Sequence, residues 1–66
     1  MPRGTTHTID GLLIPAIPYP VFRVDGGGEW RLDLPRRFAS LIGKRARITG
    51  TRSDFDMLDV LEAEPL

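Results

Sequence analysis

Three consecutive glycines, Gly26-Gly27-Gly28, lie between two β-forming runs, Val21–Val24 and Glu29–Leu34, and constrain this chain more than any other feature. The arrangement predicts a tight hairpin, because three-residue loops commonly end in a glycine with left-handed backbone. If the glycines form the loop, Asp25 faces Glu29, Val24 faces Trp30, Arg23 faces Arg31, Phe22 faces Leu32 and Val21 faces Asp33. Directly opposed residues share a face of the sheet. One side then carries Phe22, Val24, Trp30, Leu32 and Leu34. The other carries Arg23, Asp25, Glu29, Arg31 and Asp33. A one-residue slip would mix the two sets.

The flanking segments extend the pattern. Thr6–Ile14 is β-branched and aliphatic and reads as a first strand, with Gly11 marking a bend or bulge. Three prolines in Pro15-Ala16-Ile17-Pro18-Tyr19-Pro20 forbid a central strand and predict a stiff, polyproline-like loop. Pro35 suits a first helical position, and Phe38, Leu41 and Ile42 form one helical stripe. A helix of about two turns is expected over Pro35–Ile42, stopped by Gly43. Arg45–Thr51 alternates as a half-buried strand. Arg52-Ser53-Asp54 reads as a turn, and Phe55–Ala63 as a last strand.

Strand, strand, strand, short helix, strand, strand is the order of an OB-like barrel. The expected class is therefore all-β, a small five-stranded OB-like barrel with its helix between strands three and four. An SH3-like barrel is the alternative, and it usually lacks a helix at this point. The expected core is Ile9, Phe22, Val24, Trp30, Leu32, Phe38, Leu41, Ile48, Leu58 and Val60.

Sixty-six residues allow one domain, 1–66, and no large enclosed substrate cavity. With no cysteine, disulfides, thiolate zinc sites and cysteine nucleophiles are excluded. Nine Lys/Arg balance nine Asp/Glu, so no global charge pulls toward nucleic acid or anionic lipid. Residues 1–52 hold all nine bases and four acids, whereas 53–66 hold five acids and no base. Eight of the bases are arginine, a composition that a GC-rich genome explains as readily as anion recognition. The apolar runs are too short for a membrane span, and Met1–His7 lacks the apolar core of a signal peptide. A cytoplasmic protein is expected.

Three stretches resemble a family of very short bacterial proteins known only as a domain of unknown function. They are Pro2-Arg3-Gly4-Thr5, Gly27-Gly28-Glu29-Trp30-Arg31-Leu32-Asp33 and Gly50-Thr51-Arg52-Ser53-Asp54-Phe55-Asp56. Gly43–Gly50 is also similar to the fourth strand of many small bacterial OB-like domains. The family resemblance implies no activity and no catalytic residues.

The chemistry on offer is sparse. Asp25-Gly26-Gly27-Gly28-Glu29 lacks the following helix of a phosphate loop. Asp54, Asp56, Asp59 and Asp25 lack the spacing of a calcium loop and read as solvated carboxylates. His7 is the single histidine and is expected in solvent. No catalytic residue, metal site or cofactor follows, so a non-enzymatic protein is expected.

Binding is the remaining class. Single-stranded nucleic acid needs exposed aromatics for its bases and cations for its phosphates. Tyr19 and Phe55 fall in the two loops that flank the strand-two and strand-three face of an OB barrel. Arg23, Arg31 and Arg52 are the cations to contact phosphates, although Asp25, Glu29 and Asp33 stand among them. The expected partner is single-stranded nucleic acid or another oligomeric ligand. The competing expectation is a protein-interaction module that self-associates as a homodimer. The first and last strands are apolar on both faces, so Leu12, Ile14, Met57 and Leu61 would form its patch.

Overall fold

The computed structural model describes residues 6–66. Its elements in chain order are β1 (Thr6–Ile14), β2 (Val21–Val24), β3 (Glu29–Asp33), a 3-10 helix (Arg36–Leu41), β4 (Arg45–Asp54) and β5 (Met57–Pro65). The five strands close in the order β1-β2-β3-β5-β4, and β4 returns to pair with β1. β3 and β5 run parallel, while the other neighbours are antiparallel. The expected all-β class, five strands and helix between the third and fourth strands are all present.

The hairpin register differs from expectation by two residues. Phe22 lies opposite Trp30, Arg23 opposite Glu29, and Val21 opposite Arg31. The cause is the turn. Gly27 N–H donates to the Val24 carbonyl and Val24 N–H to the Gly28 carbonyl, so the loop is Asp25-Gly26-Gly27. Gly27 has φ of 110°, a left-handed conformation that favours glycine. Moving the loop by one position shifts every pairing by two, which preserves the faces. Phe22 and Leu32 are buried, and Arg23, Glu29, Arg31 and Asp33 are exposed.

β1 is the strand on which the barrel turns. Its N-terminal part pairs only with β4, Gly11 and Leu12 pair with both β4 and β2, and Leu13 and Ile14 pair only with β2. Gly11 is the first residue to pair on both sides, opposite Val24 and Ala46. A Cβ there would lie 2.1 Å from the Arg23 carbonyl oxygen, so only glycine permits this backbone approach.

The core comprises Leu13, Phe22, Leu32, Leu41, Ala46, Ile48, Leu58 and Val60. Ile9, Val24, Trp30 and Phe38, expected within it, are instead partly buried and pack against it. Each sits toward an end of its element or outside the strands. Ile9 lies beyond the β2 pairing, Val24 at the turn, Trp30 near the start of β3, and Phe38 on the short helix.

The expected two-turn helix is a 3-10 helix. Pro35 precedes it with ψ of 145°, and Ile42 after it is extended. Bonds from Phe38 N–H to Pro35 and from Ile42 N–H to Ala39 span three residues, as the tighter helix requires. Its six residues are too few for a stable α-helix, and Leu41 anchors it by burial. The β1–β2 loop bends at Ile17-Pro18-Tyr19, where a straighter polyproline-like course is expected, and its Ile17–Pro18 bond is cis.

β4 runs longer than expected and takes in Arg52-Ser53-Asp54, read from the sequence as a turn, while β5 keeps its expected length but lies two residues later. β4 continues through Asp54, the turn is Phe55-Asp56, and β5 extends from Met57 to Pro65. Thr49 pairs with Glu62 and Gly50 with Val60, leaving Leu61 as an extra residue in a β-bulge. This explains much of the two-faced apolar pattern of the strand. Leu58 and Val60 face the core before the bulge, and Ala63 packs on it afterwards.

Candidate functional site

Closure brings the β4–β5 turn against the outer side of β3. Arg31 N–H donates to the Asp56 carbonyl at 2.8 Å, because the parallel β3–β5 pairing starts at Arg31 and Met57. The side chains repeat the link: Arg31 Nε and Nη2 donate to Asp56 Oδ1 at 3.0 and 2.7 Å. This hydrogen bonding raises the Arg31 pKa and holds the Asp56 carboxyl below the usual aspartate range. Both side chains are only about half covered, so solvent screening keeps the pair weak.

Phe55 occupies the tip of that turn and is 81% exposed. Asp54 Oδ1 accepts from Phe55 N–H at 2.7 Å and fixes the turn. Arg52 Nε and Nη2 donate to the Asp54 and Phe55 carbonyls at 3.1 and 3.0 Å. Its guanidinium thereby lies 5.8 Å from the Phe55 ring centroid. Arg52 makes no ion pair among the described residues.

Tyr19 approaches from the β1–β2 loop. The Pro20 carbonyl accepts from Leu32 N–H, which ties the end of this loop to β3. Tyr19 is 39% exposed and immediately precedes this anchor to β3. Tyr19, Arg31, Arg52 and Phe55 therefore gather around one side of β3. Arg23 lies farther along, opposite Glu29 rather than Arg31, and pairs with that carboxylate at 3.4 Å. The face is largely neutralised: Arg31 and Arg23 have carboxylate partners, and Asp25 pairs with Arg45.

The four residues expected in an apolar patch lie on β1 and β5, which are not neighbours in the sheet. Leu12 stands opposite Arg23 and Arg45, and Ile14 opposite Val21. Met57 is opposite Arg31 and Asp54, and Leu61 is in the β5 bulge. No two of them face each other across a ladder.

Ile17, in the proline-rich loop, is 98% exposed, as an apolar patch on this side of the chain would require. Sequence reasoning missed one feature. His7, expected in solvent, is partly buried, with its ring 5.9 Å from Trp30. The two rings meet where β1 has no β2 partner, a contact that only barrel closure creates. Among the described residues, no group of three or more His, Cys, Asp or Glu is placed to hold a metal ion, and no helix is long and apolar enough to cross a membrane.

Pro2-Arg3-Gly4-Thr5, one stretch of the family resemblance, lies outside the described residues. No curated protein matches the chain, and no solved structure does. A family model described as "Protein of unknown function (DUF5818)" matches residues 10–66, which include the other two stretches, and the chain belongs to that family.

Proposed function

We propose that this protein is a small, non-enzymatic, OB-like binding module for single-stranded nucleic acid. The observation that supports this most is Phe55, an aromatic ring left in water at the tip of an ordered turn, with Tyr19 on the neighbouring loop. Bases stack on such rings without need of a pocket. Arg52, held against Phe55 and without a carboxylate partner among the described residues, is the first cation for a phosphate.

Fluorescence anisotropy with a short labelled oligothymidylate at low salt tests the reading. Saturable binding is expected, weakening as salt rises. Phe55→Ala should cost about 1–3 kcal/mol of binding, the range for one base stack, without altering the unfolding midpoint. Flat titrations at low salt reject nucleic acid as the ligand.

A second reading, an apolar protein contact, is favoured by Ile17 at 98% exposure and Leu61 at 48%. Sedimentation at micromolar concentration decides it. A dimer that dissociates on Leu61→Lys or Ile17→Asp, with the fold retained, supports the contact. A monomer indifferent to both changes excludes it.

A further inference from the structure

The guanidinium of Arg31 is already engaged by an anion of the chain itself. Its Nε and Nη2 converge on Asp56 Oδ1 at 3.0 and 2.7 Å. The turn does not depend on that contact alone, because Arg31 N–H also holds the Asp56 carbonyl at 2.8 Å. A guanidinium accepts carboxylate and phosphate oxygens through the same N–H groups. Tyr19 and Phe55, the stacking candidates, flank this pair on the two loops.

We infer that Asp56 is an internal competitor for the binding face, occupying on Arg31 the place that a ligand phosphate would take. The inference rests on the reading of this face as a nucleic-acid site. A phosphodiester reaching Arg31 must exchange with the Asp56 carboxylate, while the main-chain bond keeps the turn in place. The arrangement sets a threshold. Arg31 rewards a ligand only to the extent that its anion binds better than the tethered carboxylate.

The test compares wild type, Asp56→Asn, Asp59→Asn and the double variant Arg31→Gln/Asp56→Asn against labelled oligothymidylate over a salt series. Asp59→Asn removes the same charge from a carboxylate with no ion pair among the described residues. Asp56→Asn should bind about two- to fivefold more tightly, the range commanded by an exposed ion pair. Its slope of log affinity against log salt should steepen by about 0.7, one added phosphate contact on a single strand. The double variant should lose both gains. Asp56→Ser, too short to reach Arg31, should repeat the result if the asparagine disturbs the turn.

The inference is overturned if Asp56→Asn binds no more tightly than wild type, or if Asp59→Asn gains as much. If no variant binds the oligonucleotide, the nucleic-acid reading falls, and a separate probe judges the competition. Tripolyphosphate should then shift the Arg31 Nε–Hε resonance of Asp56→Asn at concentrations that leave wild type unmoved. That shift supports the competitor role, and its absence rejects it.

Discussion

Arg47 and Asp10 face each other across the β1–β4 ladder, and their side chains meet as a fork. Arg47 Nε donates to Asp10 Oδ1 at 2.8 Å, and Nη2 donates to Oδ2 at 3.1 Å. The pair joins two strands whose closure completes the barrel.

This pair and Arg31–Asp56 predict an acid limb to stability. Hydrogen bonds from the arginines lower the pKa of Asp10 and Asp56 below their ordinary value. Between the folded and unfolded values the unfolded chain binds more protons, so stability rises with pH there. The contribution is complete above the ordinary aspartate range, about pH 4, and is lost as pH falls through the lowered values. Urea midpoints measured from neutral pH downward should therefore drop less in Asp10→Asn/Asp56→Asn than in wild type. Parallel acid limbs in the two proteins would refute the assignment.

Gly11→Ala should be among the most damaging single-atom additions to the chain. The new Cβ would fall 2.1 Å from the Arg23 carbonyl oxygen, and backbone cannot swing aside as a flexible side chain can. A loss of about 3 kcal/mol is expected, at the upper end of overpacking costs. Gly26→Ala is the matched control, since nothing lies within 4 Å of its Cβ position. That change should stay within about 0.5 kcal/mol of wild type. Equal unfolding midpoints for the two variants would contradict the β1–β2 geometry.

Phe22 is fully buried, whereas Phe38 is only partly so. Phe22→Ala should cost about 3–5 kcal/mol, enough to unfold much of a domain this size. Phe38→Ala, on a six-residue helix at the margin of the core, should cost distinctly less. Chemical denaturation of both variants checks the ranking, and the reverse order would show that the helix carries more of the fold than its burial indicates.

The contact between His7 and Trp30 has a spectroscopic signature. Trp30 is the sole tryptophan, so emission reports on this site alone. His7→Ala removes one wall of its surroundings, and the emission should move to longer wavelength. A stability loss of about 0.5–1.5 kcal/mol should accompany it, the range for one aromatic pair. An unchanged emission maximum would mean that the ring does not shield the indole.

The sequence pattern carried the elements and faces further than it carried the pairings. Phe22 and Leu32 are legible as core because alternation survives a two-residue register error, and Ile48 and Leu58 because each stands on the apolar face of its own alternating strand. The error itself was invisible, since three consecutive glycines do not reveal which of them bends the turn. The loop position of Tyr19 was also legible from its prolines, and Phe55 was legible only as lying near a polar turn, which falls at Phe55-Asp56 and not at Arg52-Ser53-Asp54. The partners of Arg31 and Arg23 were not. Arg23 meets Glu29 because the turn falls one residue earlier than the glycines suggest, and Arg31 meets Asp56 because β3 reaches the β4–β5 turn through a parallel pairing of distant segments. His7 beside Trp30 is hidden until the barrel closes.

The extra residue at Leu61 gives chain length a role separate from chemistry. Deleting Leu61 would leave Leu58, Val60 and Ala63 in strict alternation, so by hydropathy the shortened strand would look improved. It would also be straighter, because the unpaired residue is what adds local twist and bend. A five-stranded sheet must curl sharply to meet itself, and β4 and β5 form its longest pair. Curvature here is thus encoded as a count of residues, a quantity to which composition and side-chain identity are both blind.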